Sequence, residues 1–161
     1  MNKKEDVSLS GCYNWFGNHP FPPEKKRPTI LDENNDVMQV YGKGRELIAP
    51  RVFASTDKIL MSIWDVPPGQ SFQPPDIHSG DEPYYIVRGR PTISNPETGL
   101  TIQAKEGDAV FIPKKTWHCV YNFTDEPVTI IAIIEGELWD EGDLEEVNSF
   151  EMKKANYKYE Q

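Results

Sequence analysis

Two of the three histidines in this chain stand beside carboxylates in segments whose spacing can gather metal ligands or acid–base groups. The first segment runs from Gly69 to Gly89 and contains Asp76-Ile-His78-Ser-Gly-Asp-Glu82. On an extended strand side chains alternate faces, so Asp76 and His78, two apart, point the same way, and Glu82 can rejoin that face after the Ser79-Gly80-Asp81 turn. One face then collects three potential ligands. The second segment, Gly107 to Asn122, places Pro113 at the close of one strand and His118 at the start of the next. Thr116, Val120 and Asn122 share the face of His118; Trp117, Cys119 and Tyr121 take the other, which turns Cys119 away from a site on the His118 face. Imidazole nitrogens and carboxylate oxygens bind divalent ions, and the same carboxylates can move protons. A single His beside an acid is usually a core or surface residue, but two such segments together favour a metal site over a purely structural one.

These residues need short strands to bring them together, and the sequence supplies them. From Val37 to Glu135, β-branched and aromatic runs alternate with turn residues at intervals of about ten, the pattern of an antiparallel sandwich or barrel. Strands are expected at Val37–Tyr41, Glu46–Ala54, Lys58–Val66, Gln73–His78, Tyr84–Arg88, Pro91–Ser94, Leu100–Ala104, Ala109–Ile112, Trp117–Asn122 and Val128–Ile134. Asn95-Pro-Glu-Thr-Gly99, with Pro early and Gly late, reads as a hairpin turn. Tyr84, Arg88, Gln73, Trp64 and Met61 are candidates to line the interior near the site, a role that core filling explains equally well for the apolar ones.

Residues 1–35 form an irregular arm in which aromatics (Tyr13, Trp15, Phe16, Phe21) mix with a Pro-rich basic stretch, and His19 within it reads as a surface residue. The aromatics are expected to pack on the body or on a second subunit, because disordered segments are poor in them. The barrel occupies residues 36–135. Residues 136–161 are an acidic tail, in which Asp143 and Glu146 resemble a capping box and Leu144, Val147 and Phe150 recur at spacing three, so a short helix is expected over roughly 144–154.

The remaining bounds exclude whole classes of function. At 161 residues and with 14 prolines, the chain suits one domain of strands and turns rather than a helical bundle. Seventeen Lys and Arg against 26 Asp and Glu give a net charge of −9, which repels nucleic acid and anionic membranes. Met1 to Ser10 lacks the apolar stretch of a signal peptide and no run approaches a membrane span, so a cytoplasmic protein is expected. Cys12 and Cys119 are too isolated for a zinc spacing or a disulfide framework and read as ordinary thiols.

The two segments together resemble the cupin superfamily. Its first motif appears as His78-x3-Glu82-x6-Gly89 with Gly69 upstream, and its second as Gly107, Pro113, His118 and Asn122 at the expected spacings. There are two departures: Asp76 occupies the place of a first-motif histidine, and Lys115 that of a second-motif glycine. The resemblance implies an all-β fold, a double-stranded β-helix or jelly-roll barrel, with a divalent ion near its centre held by His78, Glu82 and His118. Two neutral imidazoles and a carboxylate form a 2-His-1-carboxylate set that leaves positions open for substrate or dioxygen. Asp76 is then a fourth ligand, a base, or a partner of a His ring. Fe(II) is favoured, with Mn(II), Zn(II) and Ni(II) as alternatives.

The function expected from this set is that of a mononuclear metal enzyme acting on a small oxygenated molecule that chelates the ion, such as a diketone, catechol-like ring or enediol, with oxidative cleavage by dioxygen as the outcome. Redox-neutral isomerase, hydrolase or lyase chemistry on a sugar or keto acid, with Asp76 or Glu82 moving a proton, is the alternative. A small-ligand-binding cupin without catalysis is a third reading. The exposed edges of antiparallel sheets, the aromatic arm and the resemblance together imply a homodimer.

Overall fold

The two longest strands among the described residues alternate strictly between buried and outward side chains, and they set the barrel. In the computed structural model, residues 28, 30–31, 37–38, 50–56, 58–72 and 75–136 are described. They contain strands β1 (Val37–Met38), β2 (Arg51–Ser55), β3 (Ile59–Val66), β4 (Glu82–Arg88), β5 (Thr92–Ser94), β6 (Thr101–Gln103), β7 (Ala109–Ile112), β8 (Cys119–Tyr121) and β9 (Val128–Glu135). All pairings are antiparallel. One sheet runs β1-β2-β3-β9-β4-β7 and the second β6-β5-β8, the two layers of a jelly-roll barrel. No helix among the described residues is long and apolar enough to cross a membrane.

β3 and β9 pair residue for residue from Ile59–Glu135 to Val66–Val128. The period of two therefore sends Leu60, Trp64 and Val66 inward together with Val128, Ile130, Ala132 and Ile134, where they meet Ile86 of β4 and Val120 of β8 in the core. Each such aliphatic side chain contributes about 1.5–3 kcal/mol by leaving water. Met61 lies on the opposite, half-buried face of β3; it is three residues from the inward Trp64, and a strand cannot point both the same way. The expectation that Met61 lines the interior is thus corrected.

Arg88 is corrected too. Glu82, Tyr84 and Ile86 point inward, and strict alternation would carry Arg88 in with them, but the β4–β9 register shifts between Ile86 and Arg88. This bulge turns Arg88 to solvent, where its guanidinium lies 3.2 Å from Glu126. Gly89 follows at φ 85°, and a side chain there would press on the Pro127 carbonyl and on Val128; the position demands glycine on both counts.

The hairpin at Asn95–Gly99 joins β5 to β6 as expected, with Gly99 at φ 76° and the Asn95 side chain accepting from the Glu97 and Thr98 amides. The described part of the strand expected at Gln73–His78, residues 75–78, forms no ladder. Asp76 makes an isolated bridge to His118, just before β8, as Ser71 upstream does to Tyr121, and Pro75 has no amide hydrogen to give. Gln73 lies outside the described residues, as do the arm through residue 27 and the tail from residue 137 with its expected helix.

Asn122 closes the end of the barrel beyond β8. It is fully buried, and its amide donates to the carbonyls of Val66 (2.8 Å) and Glu126 (2.7 Å) while its oxygen accepts from the amide (3.0 Å) and hydroxyl (2.7 Å) of Thr124. All four hydrogen-bonding positions of the side chain are used. Asn122→Ala should therefore cost about 3 kcal/mol of stability by stranding these partners. The check is urea unfolding: a lower midpoint with an unchanged slope is expected.

Candidate metal centre

Two backbone contacts assemble the site from segments far apart in sequence. The Asp76 amide donates to the His118 carbonyl (2.8 Å) and the His118 amide donates to the Asp76 carbonyl (2.9 Å), which fixes the two motifs face to face. Beside them the Lys115 amide donates to the His78 carbonyl (2.7 Å). Lys115 holds φ at 57° to do so; where a glycine would enter this turn freely, lysine accepts the strain of a left-handed backbone.

Glu82 is placed by the turn that precedes it. Gly80 packs against the end of β9 so closely that a β-carbon would run into the Glu135 carbonyl oxygen. On either side, the Glu135 amide donates to the Asp81 carbonyl (2.9 Å) and the Lys114 amide to the Asp81 carboxylate (2.9 Å). The 79–81 turn is thus clamped between β9 and the 113–116 turn, and β4 can begin only where Glu82 faces inward.

Asp76, His78, Glu82 and His118 are each only 3–4% exposed. Ligand atoms of Asp76, His78 and His118 all lie within 4.8 Å of one another. Glu82 joins through the imidazoles: its Oε2 is 2.9 Å from His118 Nε2 and 3.5 Å from His78 Nε2, while Asp76 Oδ2 is 3.5 Å from His78 Nε2. The other Asp76 oxygen accepts the Ile77 amide (3.0 Å). The ring of Tyr84, two residues along β4 from Glu82, stands edge-on to His118 at 6.2 Å, and its hydroxyl hydrogen-bonds Glu82.

Proton bookkeeping shows what this arrangement lacks. His118 Nδ1 lies 2.9 Å from the Thr116 carbonyl, an oxygen that can only accept, so Nδ1 carries the hydrogen. In a neutral ring Nε2 then presents a lone pair to the carboxylate of Glu82, and two acceptors cannot face each other in a dry interior without a cation between them. Glu82 Oε2 is buried and faces His118 Nε2 at 2.9 Å. A proton on His118 or a divalent ion would satisfy both atoms, and two imidazoles with two carboxylates are a donor set suited to such an ion.

The charges respond accordingly. Burial opposes ionisation of Glu82, but His78, His118 and Tyr84 outweigh it and hold the carboxyl below its usual value. Burial likewise disfavours the His118 cation, yet the hydrogen bond and charge of Glu82, with Asp76, raise its pKa from 6.5 to about 9. In metal-free protein the charged His118 therefore stabilises the fold fully below its unfolded value near 6.5, and that contribution is lost as pH rises through about 9. The Glu82 contribution has the opposite sense: present above 4.5 and lost as pH falls through its lowered folded value. Chelator-treated protein should accordingly show a Tm that declines from pH 6.5 to 9 in thermal melts, and Glu82→Gln should flatten that decline.

All four residues singled out by motif spacing meet in one cluster. Trp64 is inward and packs edge-on to Tyr84 at 5.6 Å. Cys119 points elsewhere, its Sγ 2.8 Å from the Phe72 carbonyl. Sequence reasoning did not find the Thr116 carbonyl, since a backbone acceptor leaves no trace in residue type, nor the part of Asp81, whose place between two ligands was the one available signal.

Comparison with known proteins agrees with this architecture. Residues 62–134 match the family model described as a cupin domain. An uncharacterised protein of Methanocaldococcus jannaschii is 30% identical over 111 residues, covering 68% of this chain and 79% of that one. Among solved structures, the polyketide cyclase RemF of Streptomyces resistomycificus aligns with a TM-score of 0.57 at 17% identity, over 74% of this chain and 92% of that one. A predicted oxalate decarboxylase of Thermotoga maritima gives a TM-score of 0.57 at 18% identity over 68% and 100%. A double-stranded β-helix protein of Klebsiella pneumoniae gives 0.57 at 18% identity over 70% and 94%. Barrel, motif order and relatives agree: the chain belongs to the cupin superfamily.

Proposed function

We propose that this protein is a mononuclear metal-dependent enzyme acting on a small oxygenated substrate that chelates the ion, with oxidative cleavage by dioxygen as the reaction. The observation that carries the reading is the buried convergence of two imidazoles and two carboxylates: Asp76, His78 and His118 offer ligand atoms within 4.8 Å of one another, and Glu82 Oε2 lies 2.9 Å from His118 Nε2 and 3.5 Å from His78 Nε2. His78, Glu82 and His118 would hold the ion, and Fe(II) is the favoured one because two imidazoles and a carboxylate leave positions open. When bound, Fe(II) would supply both Lewis acidity toward the chelating oxygens and electrons toward dioxygen.

The chain's own residues do the rest. The Thr116 carbonyl fixes the His118 tautomer, so that Nε2 is the atom offered to the centre. The Tyr84 hydroxyl orients Glu82. Asp76, one oxygen tied to the Ile77 amide, keeps Oδ2 turned into the cluster, where it can take the proton that an enol or phenol loses on binding. That second carboxylate is also what favours the redox-neutral alternative, isomerase or lyase chemistry in which Asp76 moves a proton and no dioxygen is consumed.

Two measurements test the proposal. About one divalent ion per chain is expected after native purification; Glu82→Gln and His78→Ala should strip most of it, whereas Asp76→Asn should retain it and lower turnover tenfold or more. Unchanged metal content in all three variants would place the ion elsewhere. In an oxygen-uptake screen of β-diketones, catechols and enediols, consumption should match product; full turnover without oxygen would replace oxidative cleavage by the redox-neutral reaction. We further propose a homodimer, supported by exposed Tyr85, Val87 and Phe111 on the outer face of β4 and β7. Light scattering at micromolar concentration should give twice the 18.4 kDa chain mass.

A further inference from the structure

Among the described residues, the interior that holds the cluster contains acids and imidazoles but no lysine or arginine to set against an anionic ligand. The buried polar and charged groups among the described residues are Asp76, His78, Glu82, His118, Asn122 and hydroxyls of Ser and Thr. No described Lys or Arg is buried: Arg51 is half-buried and the others are exposed. Asp76 and Glu82 carry two formal negative charges, which a divalent ion cancels. An imidazole in the place of Asp76 would leave that same centre with a charge of +1.

This difference acts where charges count most. The four side chains are nearly inaccessible to water, so a unit of charge there interacts far more strongly than at the surface. A dianion would bring two negative charges to a centre that is already neutral, with no guanidinium or ammonium among the described interior residues to receive its distal group, on a chain whose net charge is −9. A chelator that is neutral, or loses one proton as it binds, meets no such penalty. We infer that the substrate is a neutral or weakly acidic chelator with adjacent or β-related oxygens, that dicarboxylates are rejected, and that Asp76 sets this selection.

The inference rests on the metal reading given above, and the test separates the two. Acetylacetone and malonate offer the same β-related pair of oxygens but differ in charge. Their binding to Co(II)-loaded protein is followed by titration calorimetry and by the visible spectrum of the ion. Failure of the wild-type chain to hold Co(II) overturns both the metal reading and the inference. With Co(II) held, acetylacetone should bind at least tenfold more tightly than malonate, and Asp76→Asn should narrow that ratio at least tenfold through a gain for malonate. Asp76→His, which makes the same change in charge while supplying a nitrogen donor to the ion, should narrow it likewise and serves where Asp76→Asn releases the ion. Malonate binding as tightly as acetylacetone in the wild type, or a ratio unmoved in a Co(II)-holding variant, overturns the inference and leaves the metal reading standing.

Discussion

The reciprocal backbone pair between Asp76 and His118 is the contact on which the site depends. Two amides and two carbonyls, 42 positions apart in sequence, hold the ligand-bearing segments in register without any side chain taking part. The result is that side-chain chemistry is left free for the cluster itself. The pair also explains why so little regular structure suffices here: the stretch around residues 75–78 has no ladder to lean on, yet one bridge and the Lys115 contact fix its direction. Strain at Lys115 is the cost of that arrangement, and it is borne by a turn whose remaining residues are exposed or half-buried.

Four ionisable groups buried together are destabilising unless they satisfy one another. Here the compensation is partial. His78 and His118 face the carboxylates, Tyr84 and Thr116 orient them, and Glu82 Oε2 depends on the proton that His118 carries in the metal-free chain. Such a dependence is costly in a purely structural core and useful in a binding site, because an arriving cation can take the place of that proton. The β3–β9 ladder and the aliphatic layer beneath it supply the stability that tolerates this.

Much of the architecture was legible in the sequence because the period of two survives in the long strands, and the hairpin at Asn95–Gly99 follows from its turn residues alone. The clustering of Asp76, His78, Glu82 and His118 was legible from motif spacing. What was not legible were the places where alternation breaks. The bulge after Ile86 ejects Arg88, and residues 75–78 make an isolated bridge where a strand was expected. Both are decided by partners on other strands, which a single sequence does not display. Lys115 illustrates the converse: the turn it occupies was evident from its neighbours, while its positive φ required the His78 carbonyl waiting across the gap.

The arrangement of β8 divides labour along a very short distance. His118 stands immediately before the strand and Asn122 immediately after it, four residues or about 13 Å apart. Asn122 ties three segments together with a saturated set of hydrogen bonds to Val66, Thr124 and Glu126. Donors at the His118 end can therefore be exchanged, as an aspartate for a histidine at position 76, while the knot that keeps the barrel shut stays as it is. A lineage built on this plan can explore new metals and substrates by single substitutions without first having to invent a new way to fold.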